Sequence, residues 1–331
     1  MGFESASSPA QVDARVAEIV SNLAKINDLL ADSTPKQILE WAIDNLPHLY
    51  QTTAFGPTGC VTLDIVSRIS QERAAQTGQV SLSKDSHCGP ILNSSQLQAS
   101  VHLVPLIFVD TLYHFPQTTD LAERAAKHYG APMRVYTPSN LKSSSEFESA
   151  YGQILWEKDA DLYDYLTKVE PARRAYEELG VRAVFTGRRR SQGADRASLN
   201  AVEVDETGLI KVNPLLNWSF KEVDAYVKTN AVPYNELLDM GYRSIGDWHS
   251  TALPGASTGT DADERSGRWK DKAGKTECGL HKDYFQFKRM ANKKLREAEL
   301  ARKDAANDKL IGEDQVSTAV PGATELLQAT S

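Results

Sequence analysis

The sequence predicts a doubly wound α/β fold with a mostly parallel sheet. Short apolar segments alternate with segments of helical periodicity along most of the chain, and this order of elements is typical of parallel sheets. The 331 residues are 41% hydrophobic and 24% charged, which is ordinary globular usage and excludes a wholly disordered or collagen-like protein. We therefore expect one large α/β domain with an appendage.

Helices are predicted before the first strand, as an N-terminal extension over residues 1–45. Residues 12–32 carry apolar positions at helical spacing, and Thr34 followed by Pro35 is typical of the start of a second helix. The first residues are acidic and polar, whereas a signal or transit peptide has a basic start and an apolar core. We expect no targeting peptide here.

The α/β domain is predicted over residues 46–249, and its strands follow in order. The stretch LYQTTAF leads through the turn at residues 56–59 into a helical segment, and VHLVPLIFVD precedes a helix that ends at Gly130. MRVYTP, VRAVFTG and IKVNPLLNW are the later strands, with KVEPARRAYEELG and FKEVDAYVKTN as helices. Residues 71–100 are polar and are expected to form a loop insertion.

Two further segments are predicted beyond residue 249. Residues 250–276 are rich in Gly, Ser, Asp and Lys and have no hydrophobic period, which predicts a mobile loop leading to Cys278. A charged helical pattern follows, so residues 250–303 are assigned to a mobile segment and a helix. Residues 304–331 have weak periodicity and are expected to form a disordered tail.

Charge and cysteine usage exclude several classes of protein. The formal net charge of −7 argues against a surface built for nucleic acid or anionic membrane, and no apolar run is long enough to span a bilayer. The three cysteines, Cys60, Cys88 and Cys278, lie far apart, so they form neither a disulfide framework nor a metal knuckle. Reduced thiols in the cytoplasm fit this pattern best.

The loops after the strands are expected to converge on one crevice, because ligands of open α/β sheets lie beyond the carboxyl ends of the strands. The first loop offers the hydroxyls of Thr52, Thr53 and Thr58 and the backbone N–H groups of a helix N-terminus, which suit an anion. The alternative is that this loop is only a turn and binds no ligand, which is the more frequent role of such a sequence. Asp110 and Thr111 end the next strand, where they either contact the ligand or cap the following helix.

A run of arginines follows the strand that ends in VFTG. Arg188, Arg189, Arg190 and Arg196 stand beside a strand end in an acidic protein. Guanidinium groups match phosphate and sulfate oxygens bidentately, so we favour an anion site over the alternative of a solvated basic loop. A ligand with several negative groups is predicted.

Cys278 differs from the other cysteines in its surroundings. It lies in KTECGLH, with Lys275 and His281 close in sequence and Arg265 and Arg268 upstream. Nearby cations lower the pKa of a thiol and enlarge its nucleophilic thiolate fraction. Most single cysteines are buried and inert, but few hydrophobic residues flank this one. His281, taken alone, could equally be an ordinary surface histidine without a role in the site.

Several motifs together resemble the fungal 3′-phosphoadenylyl-sulfate (PAPS) reductases. They are TAFGPTG, VDTLYHFPQT, WEKDADLYDYLTKVEPARRA, VFTGRRRSQGADR, VPYNELLDMGYRSIGDWHST and KTECGLH, and they follow in consistent order between residues 46 and 290. The resemblance implies an adenine-nucleotide α-hydrolase-like fold and reduction of PAPS to sulfite and adenosine 3′,5′-bisphosphate. It also implies thioredoxin as electron donor, a homodimer and sulfate assimilation in the cytoplasm.

The resemblance assigns roles to individual residues. Cys278 is expected to attack the sulfur of the sulfo group and form an S-sulfocysteine, with Glu277 and His281 beside it in the catalytic motif. A lone nucleophilic cysteine needs an external dithiol, which fits thioredoxin. Further positions are expected to bind substrate: Thr52, Thr53, Phe55, Gly56, Thr58, Gly59, Asp110, Thr111, Lys168, Arg188, Arg189, Arg190, Gln192, Arg196, Arg265, Arg268 and Lys275.

A sister group reduces adenylyl sulfate and carries an iron–sulfur cluster. Its cluster cysteines fall on Tyr163, Asp164, Asp247 and Ser250 of this chain, and three scattered cysteines cannot supply the four thiolates that such a cluster needs. We therefore expect no bound cofactor or metal. An adenylyl-sulfate reductase without cluster and a non-catalytic adenosine bisphosphate sensor remain alternatives, and an ATP pyrophosphatase is disfavoured because TAFGPTG lacks its serine-glycine-glycine loop.

Overall fold

A computed structural model of the chain describes residues 8–76, 102–193, 196–253, 267, 279–281 and 283–316. The chain divides into two units, Met1–Tyr284 and Phe285–Ser331. The first unit contains the sheet and its helices. Within the described part of the second unit, the chain continues the last helix to residue 316.

The first unit is built on a six-stranded sheet with the order β3-β2-β1-β4-β6-β5. All neighbouring strands are parallel except the edge pair of β5 and β6, which is antiparallel. β1 lies between β2 and β4, with Gln51 in register with both Leu106 and Phe185. The strands are β1 Leu49–Thr53, β2 Leu106–Val109, β3 Met133–Tyr136, β4 Ala183–Phe185, β5 Val202–Val204 and β6 Ile210–Val212.

Helices account for most of the remaining described chain. α1 and α3 both begin with a capping box, formed by Ser8 with Gln11 and by Thr34 with Gln37. A single-turn π-helix, Tyr165–Val169, joins α8 to α9. The α-helices are α1 Pro9–Ser21, α2 Leu23–Leu30, α3 Pro35–Asn45, α4 Pro57–Gln76, α5 Pro116–Tyr129, α6 Ser144–Tyr151, α7 Leu155–Lys158, α8 Ala160–Asp164, α9 Glu170–Glu178, α10 Phe220–Thr229 and α11 Tyr284–Val316.

The two faces of the sheet bury separate sets of apolar side chains. Leu106 and Phe185 point to the face that packs against α3, α4, α5 and α10. Ile107 and Val184 point to the opposite face, where they pack against Ala172 of α9. Successive side chains of a strand alternate between faces, so strands covered on both sides are apolar throughout. Helices on both faces of a mostly parallel sheet confirm the predicted fold class.

Several element boundaries differ from the sequence prediction. The helix predicted over residues 12–32 is interrupted at Asn22, whose ψ of 11° ends α1. α4 continues to Gln76, so the loop prediction is wrong for residues 71–76, which are helical. Residues 77–101, with Cys88, lie outside the described residues. β5 was not predicted. α11 extends to Val316, past the predicted end at residue 303.

No helix of the described residues combines the length and the apolar character that crossing a bilayer requires. The sheet topology places the carboxyl ends of β1 and β4 side by side. In open α/β sheets this edge is where ligands bind.

Candidate active site

A cleft lies at the carboxyl ends of β1 and β4. One wall is formed by the end of β1, by Gly56 and by residues 57–59, which begin α4. The other walls come from residues 185–187, at the end of β4, and from residues 243–245. Six of the residues predicted to bind substrate line this cleft: Thr52, Thr53, Gly56, Thr58, Gly59 and Gln192.

Residues 54–59, here called the anion turn, are shaped by contacts to β1. The hydroxyl of Thr53 accepts a hydrogen bond from the Phe55 backbone N–H at 2.9 Å, which supports the left-handed conformation of Phe55 (φ 54°). The Phe55 ring is buried edge-on against Phe108, with 5.5 Å between centroids. Phe55 therefore anchors the turn in the core, and its side chain does not line the cleft. Residues 57–59 of the anion turn are also the first residues of α4. Pro57 has no N–H, and the N–H groups of Thr58 and Gly59 have no intrahelical partner.

Gly59 is required by a close approach inside the anion turn. A Cβ at this position would lie 2.6 Å from Thr53 Oγ1, whereas a Cβ at Gly56 would meet nothing within 4 Å. We expect Gly59→Ala to lower the free energy of unfolding by about 1–3 kcal/mol, the usual range for overpacking, and to weaken nucleotide binding. Gly56→Ala is the matched control and should change stability little. Urea unfolding and equilibrium binding measure both effects, and equal behaviour of the two variants would refute this role for Gly59.

Arg189 supports the anion turn from behind. Its side chain is fully buried, and its Nε donates to Thr58 Oγ1 at 3.1 Å. Its Nη1 donates to Ser191 Oγ at 2.9 Å and to the Trp218 carbonyl at 3.2 Å. Through these contacts the guanidinium joins Thr58 to Ser191 and to Trp218. The structure thus places this predicted residue next to the cleft wall, where it holds Thr58.

The other arginines of the predicted anion loop bond to protein groups. Arg188 Nη2 lies 2.5 Å from Glu203 Oε2. Arg190 donates to the Leu199 carbonyl at 2.7 Å and to Asn217, and Arg196 donates to the Gln192 side chain. The loop is therefore not a solvated basic loop, and its side chains tie residues 188–217 together. Of this loop's predicted site residues, only Gln192 lines the cleft.

Lys168 and Thr111 belong to a buried group of polar side chains, here called the Asp247 network: Thr111, Tyr163, Asp164, Lys168 and Asp247. Lys168 Nζ lies 2.7 Å from Asp164 Oδ1 and 2.8 Å from Asp247 Oδ2. Thr111 Oγ1 donates to Asp247 Oδ1 at 2.6 Å, and the Tyr163 hydroxyl donates to Asp247 Oδ2 at 3.2 Å. The network joins the end of β2, α8 and the π-helix to the segment that follows residues 243–245.

The charge on Asp247 is stabilised by its partners. Burial is the largest single influence and opposes ionisation of this carboxyl. The Lys168 ammonium, His114 and the hydrogen bonds from Lys168 and Thr111 together outweigh burial and hold the pKa of Asp247 well below its ordinary value. Burial beside Asp247 raises the pKa of Tyr163, so its hydroxyl stays a neutral donor. Asp110, in contrast, only accepts from the Leu112 N–H at 2.8 Å, which supports the local turn.

The predicted catalytic motif is only partly covered by the described residues. Cys278, Glu277, Lys275, Arg268 and Arg265 lie outside them, as does the side chain of His281.

Gly279 and Leu280 are described, and they line a second cleft together with Tyr176 of α9. Residues Thr52 and 185–187 line both clefts. The residue that follows Cys278 in the chain therefore lies beside the shared wall.

Cys60 is unsuited to nucleophilic chemistry. It is buried in α4, and burial raises the pKa of its thiol to about 12. Its Sγ lies 3.4 Å from the Phe55 carbonyl oxygen. At neutral pH almost no thiolate is present at this position.

Comparison with known proteins identifies the family. Residues 48–253 match the family described as phosphoadenosine phosphosulfate reductase domain. The chain is 48% identical over 258 residues to the phosphoadenosine phosphosulfate reductase of Saccharomyces cerevisiae, which covers 76% of this chain and 86% of the yeast protein. It is 45% identical over 281 residues to the protein of the same name from Emericella nidulans, covering 85% and 81% of the two chains. The chain belongs to the PAPS reductase family.

A solved structure agrees with this assignment. The crystal structure of phosphoadenylyl-sulfate reductase from Candida auris, in a phosphate complex, matches with a TM-score of 0.55 at 44% identity, and it covers 76% of this chain and 100% of that chain. The architecture is therefore the adenine-nucleotide α-hydrolase-like fold that the motifs implied. The resemblance to the family, stated from six motifs, is confirmed.

For a PAPS reductase family member, the Asp247 network has a further meaning. Tyr163, Asp164, Asp247 and Ser250 are the four positions at which the resemblance placed the cluster cysteines of the sister group. The structure joins these four positions by hydrogen bonds and by the ion pairs to Lys168, with Ser250 Oγ donating to the Asp247 carbonyl. Within the described ranges, no three His, Cys, Asp or Glu side chains are grouped to hold a metal ion.

Sequence reasoning assigned no site role to two features of this PAPS reductase family member. Residues 243–245 form one wall of the cleft, although they were quoted only as part of a family motif. Asp247 organises a buried network with partners about eighty positions away along the chain, which no local pattern reveals. The available signal was their place in GYRSIGDWHST, a polar and glycine-containing stretch that follows a helix.

Proposed function

We propose that this chain reduces PAPS to sulfite and adenosine 3′,5′-bisphosphate in sulfate assimilation. Family membership supports the reaction, and one observation about the site carries the proposal. Gly279, next to Cys278 in the chain, lines a cleft that shares Thr52 and residues 185–187 with the cleft above the anion turn. A nucleotide held at the anion turn would therefore present its sulfo group close to the thiol.

In the proposed reaction, the Cys278 thiolate attacks the sulfur of the sulfo group. A sulfur–sulfur bond forms, the bond from sulfur to the 5′-phosphate oxygen breaks, and adenosine 3′,5′-bisphosphate leaves with that electron pair. A thiolate of reduced thioredoxin then attacks the S-sulfocysteine and displaces sulfite, and the second thioredoxin thiol restores Cys278. Thioredoxin ends as a disulfide, so its dithiol supplies the electron pair that reduces the sulfo group.

The cleft residues are proposed to neutralise and hold the substrate. The free N–H groups at the start of α4 and the hydroxyls of Thr52 and Thr53 suit an anionic group, and Arg189 holds the side chain of Thr58 in place. The Candida auris relative was solved as a phosphate complex, which supports an anion site in this family. Arg265, Arg268, Lys275, Glu277 and His281 are proposed to complete the site around Cys278.

Thioredoxin, a homodimer and a cytoplasmic location are also part of the proposal. Thioredoxin is favoured because a single nucleophilic cysteine without a neighbouring thiol cannot form its own disulfide. The homodimer and the location rest on the resemblance to the family and on the reduced state expected of the three cysteines.

Sulfite release tests the proposed function. The purified full-length chain is mixed with reduced thioredoxin and either PAPS or adenylyl sulfate, and sulfite is measured over time. We expect turnover with PAPS and much slower turnover with adenylyl sulfate. Preference for adenylyl sulfate would favour the cluster-free alternative, and nucleotide binding without any sulfite would favour a sensor. Either result would overturn the proposal.

A further inference from the structure

Arg243 is the one charged side chain that lines the cleft within the described part of the chain. It is half-buried, and its guanidinium lies over the Phe220 ring at 5.9 Å from the centroid. Among the described residues it makes neither a hydrogen bond nor an ion pair. A guanidinium in this state keeps its five N–H donors for a ligand or for water.

Arg243 differs in this from the cations that were assigned to substrate binding and that the structure describes. Arg188 is paired with Glu203, Arg190 donates to the Leu199 carbonyl, and Lys168 lies between two carboxylates. Arg189 and Arg196 also donate to protein groups. In a chain with net charge −7, an arginine left without a carboxylate inside the predicted anion cleft therefore points to an anionic ligand.

The position of Arg243 complements the anion turn. The start of α4 offers backbone donors for one anionic group at one wall, and Arg243 stands on another wall of the same cleft. PAPS carries two separate anionic groups, the 5′-phosphosulfate and the 3′-phosphate. The Phe220 ring supports the face of the guanidinium and leaves the N–H groups at its edge free for phosphate oxygens.

We propose that Arg243 binds a phosphate group of the nucleotide, the one that the anion turn does not hold. The inference rests on the proposed function, because it takes PAPS as the occupant of the cleft. If the phosphate is the 3′ one, Arg243 also contributes to the choice of PAPS over adenylyl sulfate. If it is the 5′ one, Arg243 orients the leaving group.

Equilibrium binding tests this proposal on three probes: adenosine 3′,5′-bisphosphate, 5′-AMP and 3′-AMP. Arg243→Ala should weaken binding of the bisphosphate roughly ten- to hundredfold, the range expected for a lost charged hydrogen bond. Arg243→Met keeps the apolar stem against Phe220 and should show the same loss. The mononucleotide whose affinity falls with it identifies the phosphate that Arg243 contacts.

Lys228→Ala is the matched control, since it removes one positive charge from the exposed surface of α10. It should leave all three affinities unchanged. Bisphosphate binding by Arg243→Ala and Arg243→Met at wild-type strength would overturn the proposal for Arg243. Absence of bisphosphate binding in the wild-type chain would instead overturn the proposed function, so the two failures are distinguishable.

Discussion

Replacement of Cys278 by serine is expected to abolish sulfite release while leaving the binding of adenosine 3′,5′-bisphosphate unchanged. The thiolate is the proposed nucleophile, and a serine hydroxyl without an activating base is far weaker at neutral pH. Loss of a nucleophile lowers turnover by several orders of magnitude, on the order of 10⁶-fold in well-studied hydrolases. Sulfite measured with reduced thioredoxin gives the rate, and equilibrium binding gives the affinity.

The other cysteines provide controls for this experiment. Cys88→Ser should retain turnover, because Cys88 lies in the predicted insertion rather than in the KTECGLH motif. Cys60 is not a candidate nucleophile, since burial raises the pKa of its thiol to about 12. Turnover by the Cys278→Ser variant close to that of the wild type would exclude Cys278 as the nucleophile.

Lys168→Met is expected to be the most destabilising single change in the described chain that we consider. It leaves the Asp164 and Asp247 carboxylates buried without their shared cation, and both are 1% exposed at the side chain. Removing one partner of a buried ion pair costs about 3–5 kcal/mol, because the remaining charge is uncompensated. Urea unfolding of the full-length chain measures the loss.

Lys228→Met serves as the comparison for Lys168→Met. Lys228 pairs with Asp224 one helical turn away, as Lys168 does with Asp164, but the Lys228 side chain is 70% exposed. An exposed pair contributes little, so the unfolding midpoint should not change. Equal destabilisation by the two substitutions would contradict the argument from burial.

A double-mutant cycle separates the pairing of Lys168 with Asp247 from general damage to the core. If the two charges stabilise each other, the loss in Lys168→Met/Asp247→Asn should be smaller than the sum of the two single losses. Additive losses would show that the two side chains act independently. Weaker bisphosphate binding in the single variants would further indicate that the Asp247 network positions residues 243–245.

The sheet could be predicted from the sequence because its strands are short segments that lie between helical ones, and two of them, β2 and β4, are apolar throughout. Ile107 and Val109 face α9 while Leu106 and Phe108 face the other layer, so β2 appears as one continuous apolar run. β5 has only three residues, one of them Glu203, and lies at the edge of the sheet. An edge strand needs no continuous apolar pattern, which explains why it was missed.

The sequence predicted the location of the site better than it predicted the contacts of the site's side chains. Sequence position places the anion turn and the arginine loop at adjacent strand ends, and the structure brings Thr58 and Arg189 within hydrogen-bonding distance. Sequence position does not show where a side chain points, so the pairing of Arg188 with Glu203 and the burial of Phe55 were not predicted. Arg243 was overlooked because a single arginine in a loop carries no pattern.

The most direct test of the account is mass spectrometry of the wild-type chain mixed with PAPS in the absence of thioredoxin. We predict one sulfo group on the peptide that contains Cys278, together with one equivalent of released adenosine 3′,5′-bisphosphate, and discharge of the sulfo group as sulfite when reduced thioredoxin is added. An adduct on another residue, or sulfite formation through no adduct on Cys278, would contradict the account.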